Sequence, residues 1–207
     1  MIKKKKRHIL NIQMEGENMH NKELQPEVIV FAGPNGSGKS TITRMSKTVG
    51  VYINADDIKK ANLCSDMEAA VRAEELRDKA VANRDDFTFE TVLSTERNLN
   101  LLKKAKENGF FIRCIYVLTA KPEINVVRVK IREKSGGHGV PEDKIKMRYD
   151  KALKLVPELV KVCDILHIYD NTDSPFRIFK KRKDVFFMWE NDYWNNESIS
   201  KLTGVDL

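Results

Sequence analysis

Three cysteines in 207 residues, Cys64, Cys114 and Cys163, lie about fifty positions apart and form no C-x-x-C pair. That spacing excludes a disulfide framework and a cysteine zinc site, and it suits reduced thiols in a cytosolic protein. Six prolines and ten glycines are too few and too scattered for a linker or low-complexity segment, and no internal repeat appears. No apolar run approaches the roughly 20 residues that span a bilayer. The basic start MIKKKKRHIL has only a short apolar stretch after it and no small-residue cleavage site, which argues against a signal peptide. The expected location is the cytoplasm, with no membrane contact.

What is present describes a globular domain with 41% hydrophobic and 32% charged residues. The net charge of +7 is uneven: residues 1–26 hold six Lys and Arg against three Asp and Glu, and the other 181 residues carry +4. Residues 1–26 therefore read as a basic, polar, flexible leader. A nucleic-acid contact through that leader is the weaker reading beside one of solubility. Residues 27–207 read as one domain.

From residue 27 onward, short β-rich runs alternate with longer helical ones. EVIVFAG (27–33), VYINADD (51–57), DFTFETV (86–92), FFIRCIYVLTA (110–120) and DILHIYDN (164–171) read as strands, the fourth apolar enough to be central. Helical segments separate them, which indicates parallel βαβ units. The fold expected is α/β, with a central parallel sheet of about five strands flanked by helices. After Ser174, FRIFKKRKDVFFMWE reads as a C-terminal β-hairpin around a solvated basic turn, KKRKD, within a tail of residues 175–207. Trp189, Tyr193 and Trp194 are expected to pack that tail onto the body.

The stretch GPNGSGKST (33–41) has the spacing Gly33-x4-Gly38-Lys39-Ser40, between a strand and a helix. This is the phosphate-loop pattern, in which glycines let successive N–H groups face phosphate oxygens at a helix N-terminus. Gly33, Asn35, Gly36, Ser37, Gly38, Lys39, Ser40 and Thr41 are the candidate residues for ATP or GTP. Lys39 would bridge the β- and γ-phosphates, and the Ser40 hydroxyl would hold Mg²⁺.

Acids stand near the ends of the second and third strands, at Asp56, Asp57 and Glu90, where open parallel sheets bind ligands. Two readings stand for Asp56: general base toward an attacking hydroxyl, or cap of the following helix. Arg128 and Arg132, four apart, share one helix face. They precede the Gly-rich turn SGGHG, and Arg148 follows on the next helix. A basic helical hairpin at about 122–156 reads as the closing lid of a small-molecule kinase, with Arg132 neutralising the transferring phosphoryl and Arg128 a further candidate for the nucleotide. His138, in the hinge, is a further candidate for phosphate or acceptor contact.

GPNGSGKST, INADDI, FTFETVLS, the segment RVKIREKSGGHGVPEDKIKMRYDKAL and the strand with YDN, taken in order, resemble the zeta toxin family of bacterial P-loop kinases, particularly its shorter chromosomal members. The resemblance covers about residues 27–171 and implies the P-loop kinase fold. It also implies Asp56 as general base, Glu90 and Thr91 in the acceptor pocket, and Lys39 and Arg132 on the γ-phosphate. The best-known members phosphorylate UDP-N-acetylglucosamine and are held inactive by a separate small antitoxin. Two features depart from them: His138 stands where they carry a second lid arginine, and the lid is shorter. Kinases of other acceptors (nucleoside, polynucleotide end or metabolite) and a nucleotide-dependent regulatory protein remain open as alternatives.

Overall fold

The β-branched and aromatic runs pair into one seven-stranded sheet in the computed structural model, which describes residues 25–137 and 139–206. Most of the leader and His138 lie outside the described residues. In chain order the elements are β1 (Glu27–Ala32), α1 (Lys39–Arg44), β2 (Val51–Ile53), α2 (Ala55–Asn62), α3 (Asp66–Asn83), β3 (Phe87–Thr91), α4 (Glu96–Glu107) and β4 (Phe111–Leu118). They continue with α5 (Pro122–Lys134), α6 (Glu142–Lys154), α7 (Val156–Val162), β5 (Ile165–Asp170), β6 (Phe176–Arg182), β7 (Val185–Met188) and α8 (Asn196–Thr203).

The sheet order is β2-β3-β1-β4-β5-β6-β7, so β4 is indeed the middle strand. The first five strands in that order are parallel, and β6 and β7 add an antiparallel hairpin. Parallel strands need both faces covered, which is why β1 and β4 read as near-continuous apolar runs. One core joins Val28, Val30, Phe87, Phe89, Ile112, Tyr116, Leu166 and Ile168 to the helices on that face, including Leu99 and Leu102 of α4 and Leu159 of α7. Among the described residues, no helix is long and apolar enough to cross a membrane.

Three expectations need correction. The second strand stops at Ile53, because the Asn54 side chain caps α2 by accepting from the Asp56 N–H at 2.9 Å. Asp56 and Asp57 therefore occupy the first helical turn, and the cap is Asn54 rather than Asp56. The hairpin turn is Lys183 and Asp184 alone; Lys181, expected in a solvated tip, lies in β6, is buried, and donates to the Val160 carbonyl. The tail also contains a helix, α8, whose Ile199 is fully buried. Trp194 does pack onto the body, but Tyr193 stays exposed, its hydroxyl donating to Asp173 at 2.8 Å.

Candidate active site

The carboxyl ends of β1, β2 and β3 open onto a cleft of about 480 Å³. Its donor side is the loop between β1 and α1. Gly33 has φ +136°, and a Cβ there would lie 1.9 Å from the Val117 carbonyl oxygen of β4. Gly38 has φ +94°, and a Cβ would sit 2.2 Å from Asn171 Nδ2. Both the left-handed backbone and the space require glycine. The loop is anchored on both flanks. The Gly33 N–H donates to the Thr91 carbonyl at 3.2 Å, and Asn171, just past β5, donates from Nδ2 to the Ser37 carbonyl at 2.8 Å.

Asn35, Gly36, Gly38, Lys39, Ser40 and Thr41 line the cleft; Gly33 and Ser37 shape the loop from beneath. Lys39 is folded inward, its Nζ donating to the Gly33 carbonyl at 2.6 Å and the Pro34 carbonyl at 2.9 Å. Burial lowers its pKa to about 8; Glu90 opposes the shift and Arg132 adds to it. The ammonium thus lies among groups already arranged around charge. The fit to a nucleotide phosphate rests on this cradle: a glycine-rich loop braced on both sides, an inward lysine, and the Ser37 hydroxyl buried without a hydrogen-bond partner among the described residues. For a divalent cation, the described residues contain no cluster of three or more His, Cys, Asp or Glu. The exposed Ser40 hydroxyl is then the candidate ligand beside nucleotide oxygens, a mode that suits Mg²⁺.

The same cleft is lined by Asp56 on α2 and by Glu90 and Thr91 on β3. Glu90 is oriented by Tyr52, whose hydroxyl donates to Glu90 Oε1 at 2.7 Å. Burial first, and then this hydrogen bond, push the Tyr52 phenol well above its usual pKa. Thr91 Oγ1 accepts from the Leu93 N–H at 3.0 Å and from Asn98 Nδ2 at 2.9 Å, so its acceptor capacity goes to shaping the turn after β3.

Helix α5 closes the third side. Arg128 and Arg132 both line the cleft, as their spacing predicts, but they differ. Arg128 donates to the Asn171 and Thr172 carbonyls, each at 2.8 Å, fastening α5 to the loop after β5. Arg132 is exposed at the cleft mouth, close enough to Lys39 to depress its pKa. The following helix reaches the loop too, with Arg148 Nη1 3.5 Å from Asn35 Oδ1. A small separate core of Val126, Val129 and Ile145 holds α5 against α6.

Lys39, Asp56, Glu90 and Arg132, up to 93 positions apart in the chain, therefore share one cleft. Sequence reasoning missed Asn54, Arg77 and the brace from Asn171. Asn54 had a usable signal, since Asn followed by a helical run is a capping pattern. Arg77 had a weaker one: it interrupts a helix stripe otherwise made of Ala69, Ala73 and Ala80.

Comparison with known proteins agrees with this architecture. A Haemophilus influenzae sequence described only as an uncharacterized protein is 36% identical over 132 residues, spanning 61% of this chain and 94% of its own length. The toxin–antitoxin structure PezAT of Streptococcus pneumoniae superposes with a TM-score of 0.59 at 14% identity, covering 92% of this chain and 83% of that one. The AvrRxo1-ORF1:-ORF2 structure with ATP gives 0.66 at 14% identity, over 86% of this chain and 64% of that one. Identities this low show a shared fold. The zeta toxin family model matches residues 53–184, most of the chain and all of the cleft beyond the phosphate loop. With the P-loop kinase fold and the cleft described above, the chain belongs to the zeta toxin family of P-loop phosphotransferases.

Proposed function

We propose that this chain is an ATP- and Mg²⁺-dependent kinase that transfers the γ-phosphoryl group to a hydroxyl of a small acceptor. The observation that supports the reading is that Lys39, Arg132, Asp56 and Glu90 all line one cleft. The cations suit the charge of a transferring phosphoryl, and a carboxylate in the same cleft suits a hydroxyl that must lose its proton. Mg²⁺ held at Ser40 would neutralise β- and γ-oxygens as the bridging bond breaks.

The protein's own groups then divide the work. The Asp56 carboxylate accepts the hydroxyl proton as the acceptor oxygen bonds to the γ-phosphorus. The β–γ bridging oxygen keeps the electron pair of the broken bond and leaves with ADP. Lys39 and Arg132 hold the charge that spreads over the γ-oxygens. Glu90, set by Tyr52, orients the acceptor with Thr91. Helices α5 and α6 act as the lid, Arg128 anchoring its base beside the nucleotide. Family membership favours UDP-N-acetylglucosamine as acceptor and a separate antitoxin protein as regulator, acting on a cytoplasmic enzyme.

Incubation with ATP, Mg²⁺ and a panel of nucleotide sugars, sugars and nucleosides tests this directly. One acceptor should gain about 80 Da, the mass of the group moved in phosphoryl transfer. Asp56→Ala should lower its rate by about 10²- to 10⁴-fold, the usual contribution of a general base, while ATP affinity stays nearly constant. Transfer at the wild-type rate by that variant would remove Asp56 from the base role.

A further inference from the structure

The pairing of β5 with β6 divides the side chains of the hairpin between two faces. The register shifts beside Ile168 and Tyr169, so the consecutive Ile178 and Phe179 both enter the core. Arg177 and Lys180, on either side of them, both fall on the opposite face. Two rows form there. In the first, His167 pairs with Lys180 and Lys180 with Phe187, whose ring centroid is 5.7 Å from the Lys180 Nζ. In the second, Tyr169 pairs with Arg177, whose guanidinium lies over the Trp189 ring, 4.9 Å from its centroid. Each row reads ring, cation, ring, and two residues along a strand set the rows about 7 Å apart. None of the six belongs to the core on the other face. Phe187 is 47% exposed, and the other five are half-buried.

The charge of this face is one-sided. Residues 176–189 hold five Lys and Arg against one acid, Asp184. Lys181 is spent on the Val160 carbonyl, and Arg113 of the neighbouring β4 is paired with Glu27 at 2.8 Å. Arg177, Lys180, Arg182 and Lys183 have no carboxylate partner among the described residues, and the Arg177 Nε is buried without a hydrogen bond. His167 feels these cations: burial first, and then Arg177, Lys180 and Arg113, hold its pKa down at about 4.

Cations interleaved with rings suit a polyanion that also offers flat faces for stacking, which is the chemistry of a single-stranded nucleic acid. An acidic polypeptide offers the charge without the flat faces. A duplex hides its bases, and RNA is the nucleic acid whose unpaired bases stack on aromatic rings and guanidinium planes. Residues 1–24, with six Lys and Arg against three Glu, share the sign of the face and do not complement it.

We propose that the outer face of β5, β6 and β7 binds single-stranded RNA, its bases stacked on the two rows and its phosphates held by Arg177, Lys180 and Arg182. None of these residues lines the cleft, so the surface is separate from the phosphate loop and independent of which acceptor is phosphorylated.

The test is fluorescence anisotropy of the full chain with a labelled, unstructured RNA of about 12 nucleotides, within the range of single-strand site sizes. The wild type should bind, and more weakly as salt rises. Phe187→Ala should bind about tenfold more weakly, the loss of roughly one stacked base. The double variant Arg177→Gln, Lys180→Gln should lose roughly tenfold or more and flatten the salt slope by about 1.4, the share of two phosphates on a single strand. Base-paired RNA of the same sequence should bind about tenfold more weakly than the single strand, because its bases are hidden. Affinity for a fluorescent ATP analogue should stay constant in all variants, which shows that they fold.

No binding by the wild type overturns the proposal. So does equal binding by the double variant, which would move the RNA to another basic segment such as residues 1–26. Equal binding of the duplex, or tighter binding of single-stranded DNA, overturns it as well. Displacement by polyglutamate as readily as by unlabelled RNA, with Phe187→Ala unaffected, would assign the face to an acidic protein instead.

Discussion

Lys39 shows how a single residue couples the cradle to its ligand. Its pKa, held at about 8 chiefly by burial, lies well below the 10.5 of a free lysine. Between pH 8 and 10.5 the unfolded chain therefore holds a proton that the folded chain has lost, so this residue makes stability rise with pH across that window. Below pH 8 the lysine is protonated in both states and the burial penalty is present in full. Nucleotide phosphates favour the charged form, so binding above pH 8 must take up a proton. ATP affinity should then fall about tenfold from pH 7 to pH 9 as the unliganded lysine titrates. Titration of a fluorescent ATP analogue across that range reads it, and a flat profile would show that Lys39 stays protonated in the empty loop.

At the scale of elements, the delivery of Asp56 and Arg77 to the cleft depends on where α2 and α3 begin. Asn54 starts α2 immediately after a three-residue strand, and this delivers Asp56 in the first turn. Ser65 starts α3 with a reciprocal capping box, its Oγ accepting from the Glu68 N–H while the Glu68 carboxylate accepts from the Ser65 N–H. Replacement of an N-cap serine by alanine costs about 1 kcal/mol, and Ser65→Ala should lose that much in urea unfolding. Because Ser65 lies outside the cleft, ATP affinity should be unchanged in the same variant. These caps were partly readable, since Asn54 and Ser65 each precede a helical pattern. The strand reading of VYINADD overruns the end of β2, although Asn54 and the residues after it favour a capped helix start over a strand.

For the whole molecule, β6 and β7 extend the five parallel strands into one seven-stranded sheet, and helix α8 follows them. Helix α8 packs against α7, with Ile199 fully buried and Trp194 nearly so. Truncating a buried isoleucine costs roughly 2–5 kcal/mol, so Ile199→Ala should lower the free energy of unfolding by about 3 kcal/mol if the C-terminal segment is part of the cooperative fold. A single transition at lower denaturant is the expected result. A first transition of the tail alone, with the nucleotide site intact, would make it a separate unit.

Features carried by contiguous residues were readable before any folding was known. Strand periodicity, helix starts and the glycine positions of the phosphate loop express backbone preferences that a few neighbouring residues impose, so β1, its loop and the start of α1 were legible from EVIVFAGPNGSGKST. Even Arg128 and Arg132 could be paired on one face, because four residues make about one helical turn. Features made through space came from the packing of distant segments. That packing turned Arg128 toward the carbonyls after β5, placed Asn171 against the loop 134 positions earlier, sank Lys181 beneath α7, and set Arg77 into the cleft. Burial and electrostatic partnership depend on which distant surfaces meet, and no local pattern encodes that.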